Sequence, residues 1–205
     1  MNNGKNDLTE GSIGRKLISF FLPIAAGTLF QQLYNAADAI VVGKFVGTIA
    51  LAAVGGSAAN ITNLLIGFFV ALSGGSTVVI AQLFGAKDEE SIQKATGTAI
   101  AFCIISGIVL TIVGFAFTPV FLRVLQSPPD TIAESTTYLR IVFLGVTAQL
   151  LYNMEAGMLQ AVGDSKSPFI YLFICCMINI FLDLLLVAVF KMGVAGAAIA
   201  TIASQ

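Results

Sequence analysis

From Phe45 to Ala86 the chain carries no charged residue, 42 positions in a row. A water-soluble domain places a charge at about every fourth position, so this run points to lipid as its surroundings. Lipid offers no partner to the backbone, so a spanning segment must be a helix or part of a closed barrel. The run is far longer than a barrel strand and lacks the alternation of one, which leaves helix.

The remaining charges divide the rest of the chain in the same way. Leu17–Gly43 holds only Asp38, Ala95–Leu122 holds none, Ile141–Gly163 holds only Glu155, and Ser167–Phe190 holds only Asp183. Each stretch is long enough to cross a hydrocarbon core, which takes about 20 residues. The run from Phe45 is too long for one crossing and too short for two with a loop, and its Ser73–Ser76 "SGGS" is the expected break. Polar turns separate the spans at Gly85–Ser91, Gln126–Asp130 and Gly163–Pro168. The spacing predicts a polar tail over 1–16 and helices over about 17–43, 48–84, 90–122, 130–162 and 167–190, with a truncated sixth over 193–205. The expected fold class is an all-α membrane protein, a six-helix transmembrane bundle.

Composition excludes several functions. The chain is 57% hydrophobic and 10% charged with net charge −1, so it offers no basic footprint for nucleic acid. It contains no His, the commonest general base and metal ligand. Cys103, Cys175 and Cys176 lie in apolar runs and read as small hydrophobes. With no phosphate loop and no Ser or Cys beside a base, an enzyme is not expected, nor is a cofactor. A cleaved signal peptide is not expected either, because the first apolar run exceeds the roughly 7–15 residues of a signal core. Lys5, Arg15, Lys16, Lys87, Lys94 and Lys166 fall on one side of this topology, and Lys44, Arg123, Arg140 and Lys191 on the other. The bias predicts a cytoplasmic N-terminus in a plasma (inner) membrane.

The polar residues within the spans recur at helical spacing. Thr28, Gln31, Gln32, Asn35 and Asp38 form a stripe on the first helix, with Tyr34 four residues before Asp38. Gly56, Asn60, Asn63 and Gly67 repeat the pattern, as do Gly145, Gln149, Tyr152 and Asn153, while Asn179 and Asp183 share one face of the fifth helix. The simplest arrangement turns all the stripes inward around a wet cavity. A carboxylate at the centre of a membrane helix costs about 2.5–3.5 kcal/mol on insertion scales. Two of them tolerate each other only with a cation between them or a proton on one, which makes Asp38 and Asp183 a natural site for Na⁺ or H⁺. The structural alternatives stand beside this: a membrane Asp can bond across helices, and amide stripes can be interhelical contacts as readily as substrate contacts. Glu155 lies close enough to the Gly163 turn to snorkel to the interface. Pro23 removes the hydrogen bond to the Ser19 carbonyl and marks a candidate hinge in the first helix.

Four segments, "SFFLPIAAGTLFQQLYNAADAIVVGKFVG", "GSTVVIAQLFGAKDEE", "LQAVGDSKSP" and "NIFLDLLLVAVFKMGVAGAAIATIASQ", give the chain a resemblance to the N-terminal half of the multidrug and toxic compound extrusion (MATE) family. The resemblance implies a twelve-helix transporter of two six-helix lobes. Its activity would be alternating-access export of amphipathic, often cationic drugs and toxins, driven by Na⁺ or H⁺. It implies cation coupling at Asp38, Asn179, Asp183 and Thr201, and substrate contacts from Gln31 and Tyr34. Asn35, Asn60 and Asn153 complete the expected cavity from the stripes. Implied partners are the drug, the bilayer and a C-terminal lobe. Glu155 and Gln160 depart from a family pattern that places an Arg near the end of the fourth helix. The rival classes are a flippase for lipid-linked precursors, which would want a basic cavity where no Lys or Arg lies deep in a span, and an inert membrane fragment.

Overall fold

The computed structural model describes residues 13–205, apart from the side chains of Ile13, Lys16 and Ser73, and every element among them is helical. α1 runs over Ile13–Phe45, α2 over Thr48–Ala53 and α3 over Ala59–Gly85. α4 runs over Glu89–Val124, α5 over Ile132–Ala161, α6 over Lys166–Asp183 and α7 over Gly193–Ser204. π-helical turns at Val54–Ala58 and Leu184–Val189 extend α2 and α6, and a 3₁₀ turn at Pro129–Thr131 leads into α5. The element order matches the six expected spans. α1 begins at Ile13, before the expected boundary at 17, and the rest of the 1–16 tail lies outside the described residues. Four helical stretches, Leu17–Phe45, Thr48–Gly85, Glu89–Val124 and Lys166–Val189, are long and apolar enough to cross a membrane. α5 is long enough but more polar, because it runs through the middle of the bundle and its polar groups meet other helices.

The break in the second span is not where "SGGS" suggested. α3 passes through 73–76 without interruption, and the bend falls at the earlier Gly55–Gly56 pair. There Gly56 leaves helical geometry (φ −91°, ψ −117°), and the Ser135 hydroxyl donates 3.1 Å to the Ala53 carbonyl. A side chain from α5 thus satisfies a carbonyl beside the kink, which a bend in lipid requires. α1 is continuous through Pro23.

The α4–α5 seam is the tightest part of the lobe. A methyl added at Gly107 would meet Thr147 Oγ1 at 2.5 Å, and one at Gly114 would run into the ring of the fully buried Phe143. Thr111 Oγ1 donates 2.8 Å to the Phe143 carbonyl across the same seam. On its other sides α5 meets α7 where Gly145 faces Ile202, and α3 where Gly157 faces Thr77. α1 packs on α6 through Phe30, whose ring stands edge-on to Phe169 (5.7 Å) and Phe173 (5.3 Å).

The helix ends close on left-handed residues. Lys87 (φ 57°), Gln126 (φ 51°) and Gly163 (φ 88°) follow α3, α4 and α5. At each, paired backbone bonds tie the turn down: Asp88 N–H to the Leu83 carbonyl, Ser127 N–H to Leu122 and Asp164 N–H to Leu159. Asp88 then caps α4 by accepting from Ser91 N–H at 3.1 Å. Asp164 caps α6, accepting from the Lys166 and Ser167 amides and the Ser167 hydroxyl.

Candidate ion and substrate site

α1, α6 and α7 bring the predicted acids together. Asn179 and Asp183, one turn apart on α6, are both fully buried, and Asp38 reaches the same place from α1. The carboxyls of Asp38 and Asp183 face each other within interaction range. Ionised, neither can donate to the other; a shared proton or a cation would join them. No donor otherwise reaches them: Asp38 Oδ1, both Asp183 carboxylate oxygens and both polar atoms of Asn179 are buried without a hydrogen-bond partner. Native interiors satisfy nearly all such atoms, so five unmet atoms in one spot set this corner apart from the packed core. Two carboxylates and an amide oxygen suit a hard cation, and the same carboxylates suit a proton.

Thr201 completes the corner from α7. Its hydroxyl donates 2.9 Å to the Ala197 carbonyl, and the Tyr34 hydroxyl lies near it. Tyr138 of α5 feels the charge of both Asp38 and Asp183. Tyr138 belongs to none of the polar stripes read from the sequence, although it lies within the expected helix over 130–162.

The two sides of this corner differ. One turn beyond Asp38 and Asp183 lie Val41, Val42 and Val187, packed with Ala50, Val194 and Ala197 in a cluster that carries no polar atom on its side chains. On the other side, towards the N-terminal ends of α1 and α6, a cavity of about 450 Å³, open mouth included, is lined by Gln31, Tyr34, Gln149, Tyr152, Asn153 and Cys175, among others. Tyr34 links the cavity to the acids. The acid pair therefore has an apolar plug behind it and a polar recess before it.

The structure gathers Gln31, Tyr34 and Asn153 at this cavity, but Asn35 and Asn60 do not line it. Asn35 is exposed on α1, where its amide donates to Gln32 Oε1 at 3.4 Å. Asn60, Asn63 and Gly67 face outward on α3, so the four stripes do not all turn inward. Helical spacing defines a face but not the direction in which the bundle turns it. Cys175 and Cys176, read as small hydrophobes, contribute to the cavity wall. Arg140 lies within α5, as the expected helix over 130–162 has it.

Comparison with known proteins agrees with this geometry. The sequence profile of the MatE family matches residues 23–185, and the chain belongs to that family. It is 34% identical over 200 residues to the probable multidrug resistance protein YoeA of Bacillus subtilis, a match that takes in 96% of this chain and 43% of that protein. Its fold superposes with a TM-score of 0.90, at 26% identity, on a MOP superfamily transporter from Pyrococcus furiosus, covering 100% of this chain and 45% of the other. That transporter's binding pocket is described as having reversed polarity, suggesting a different function. An outward-facing MATE multidrug resistance transporter superposes at 0.86 with 26% identity, covering 95% and 43% of the two chains. The chain thus spans less than half the length of the relatives it matches, and its match is to a MATE lobe of a multi-pass membrane transporter.

Proposed function

We propose that this chain is the cation-binding lobe of a drug–cation antiporter. The observation that carries the reading is the cluster of unmet buried polar atoms on Asp38, Asn179 and Asp183, set between an apolar plug and a polar recess. In the proposed cycle a proton or Na⁺ neutralises the Asp38–Asp183 pair, with the Asn179 amide oxygen and the Thr201 hydroxyl as further ligands for Na⁺. Removing the repulsion between the carboxylates draws α1 and α6 together and shifts Tyr34, which belongs to both the acid corner and the cavity. An amphipathic cationic drug in the recess at Gln31, Tyr34 and Asn153 is then released. Pro23, whose missing N–H leaves the Ser19 carbonyl without its helical donor, is the proposed hinge for that movement of α1. Asn35 and Asn60 lie outside the cavity of this lobe and are proposed to meet substrate only where a second lobe closes over them. Alternating access needs that second lobe, the proposed membrane is the plasma (inner) membrane, and the proposed N-terminus is cytoplasmic. Among the described residues no Lys or Arg lines the recess, which favours a cationic drug over a lipid-linked pyrophosphate.

The test is drug-stimulated ²²Na⁺ or proton flux in proteoliposomes made with the intact gene product. Asp38→Asn and Asp183→Asn are each expected to lower coupled flux by about tenfold or more, in the range typical of coupling energies, with membrane insertion retained. Coupled drug efflux at the unsubstituted rate in Asp38→Asn would exclude the coupling role.

A further inference from the structure

Arg140 is the charged group that neither the acid corner nor the cavity uses. It lies on the order of 12 Å below the start of α5, at about 1.5 Å rise per residue. Its guanidinium does not climb to the end of the helix but lies sideways over the Phe115 ring of α4, 5.0 Å from the centroid. Phe115 lies at nearly the same depth, on the order of 14 Å below the end of α4. α5 has 30 residues, about 45 Å of helix, against a hydrocarbon core of about 30 Å. Centred on that core, α5 has about 7.5 Å outside it at each end, so Arg140 lies ~4–5 Å inside the hydrocarbon edge, a depth at which an unpaired guanidinium draws headgroup phosphate inward.

No acid among the described residues forms an ion pair with it. Among the described residues the one ion pair is Glu90–Lys94, in the first turns of α4 and far along that helix from Phe115. Arg140 Nε is buried with no hydrogen-bond partner. The surface beside the stack is apolar and open: Ile112 is 63% exposed, Phe115 42% and Leu144 58%. A planar fork of donors just inside the hydrocarbon edge, stacked on an aromatic ring and bordered by exposed apolar side chains, matches the chemistry of a lipid: phosphate on the fork, acyl chain along the apolar face.

We propose that the outer groove between α4 and α5 binds an anionic phospholipid, its phosphate held by Arg140 over Phe115 and its chain lying along Ile112 and Leu144. The occupant is a lipid rather than free phosphate because the groove continues into the apolar face.

The chain has no Trp, so Ile112→Trp provides a single reporter where the acyl chain would lie. Its fluorescence is titrated in phosphatidylcholine vesicles that carry either brominated phosphatidylglycerol or brominated phosphatidylcholine as quencher. With Arg140 present the anionic lipid is expected to be preferred by about fivefold, equal to about 1 kcal/mol. Arg140→Gln, of similar reach, should bring the ratio to about one, while Arg123→Ala, which removes an exposed charge at the end of α4, should leave it near its starting value. A ratio of one with Arg140 in place overturns the proposal without any folding question. So does an equal loss in Arg123→Ala, which would mean bulk charge, or abolition by excess inorganic phosphate, which would assign the fork to the free anion.

Discussion

The seam between α4 and α5 and the corner where α1, α6 and α7 meet are both buried, yet they are built on opposite terms. In the seam, helices approach through Gly107 and Gly114 until no room remains, and Thr111 and Thr118 are paired there with the Phe143 and Gly114 carbonyls. In the corner, five polar atoms on three residues have no partner. A satisfied, close-packed contact has one good arrangement. An unsatisfied polar cluster has a different best arrangement for each guest. The lobe thus pairs a stiff spine with a responsive edge, and α5 belongs to both, with Phe143 in the seam and Tyr138 at the corner.

The sharpest way to break this contrast is to put a methyl into the seam. Gly114→Ala meets the buried Phe143 ring, which has nowhere to go, and is expected to cost about 1–3 kcal/mol despite the better helix propensity of Ala. Equilibrium unfolding in mixed micelles would measure it, and a neutral result would show that the seam is softer than its geometry implies. The next test uses the same helix. Gly97 of α4 has nothing within 4 Å of a built methyl, so Gly97→Ala should stabilise by about 0.5–1 kcal/mol in the same assay. Opposite signs at two glycines of one helix would separate packing from propensity.

The smallest effect concerns the caps outside the membrane. Asp164 is disfavoured as an anion by its partial burial. The Ser167 hydroxyl and amide and the Lys166 amide outweigh this and hold its carboxyl below the usual carboxylate range. Asp88 is held low by the bonds from Ser91. A group whose folded pKa is depressed stabilises the fold above its unfolded value, and that contribution fades as pH falls through the folded value. Asp164→Asn should therefore cost roughly a few tenths of a kcal/mol at neutral pH, screening included, and nothing once the medium is acidic enough to protonate the folded carboxyl. A loss that persists at that acidity would mean the cap acts through shape alone.

How much of this could be read from the residues follows the same division. The spans were legible because charges are costly in lipid and so mark the ends of helices. The meeting of Asp183 with Asn179 was legible because four residues make one turn. The bend was not. "VGGSA" and "SGGST" carry the same glycine pair, and what distinguishes them is a hydroxyl from Ser135, eighty-two residues away from Ala53. The outward turn of Asn60 and the stacking of Arg140 on Phe115 were equally hidden, because rotation about a helix axis and sideways contacts are set by neighbouring helices rather than by spacing along one.

The valine plug behind the acids has an electrical consequence. Val41, Val42 and Val187 form a thin low-dielectric barrier one turn from Asp38 and Asp183, while the recess on the other side is polar. Across such an asymmetric profile the membrane voltage drops most steeply where the insulation is driest. A unit charge that traverses the full potential exchanges about 2.3 kcal/mol per 100 mV with the field. On the proposed antiport reading, a charge gained or lost beside that barrier would be weighted by a share of this energy, and coupled flux would respond to voltage as well as to concentration.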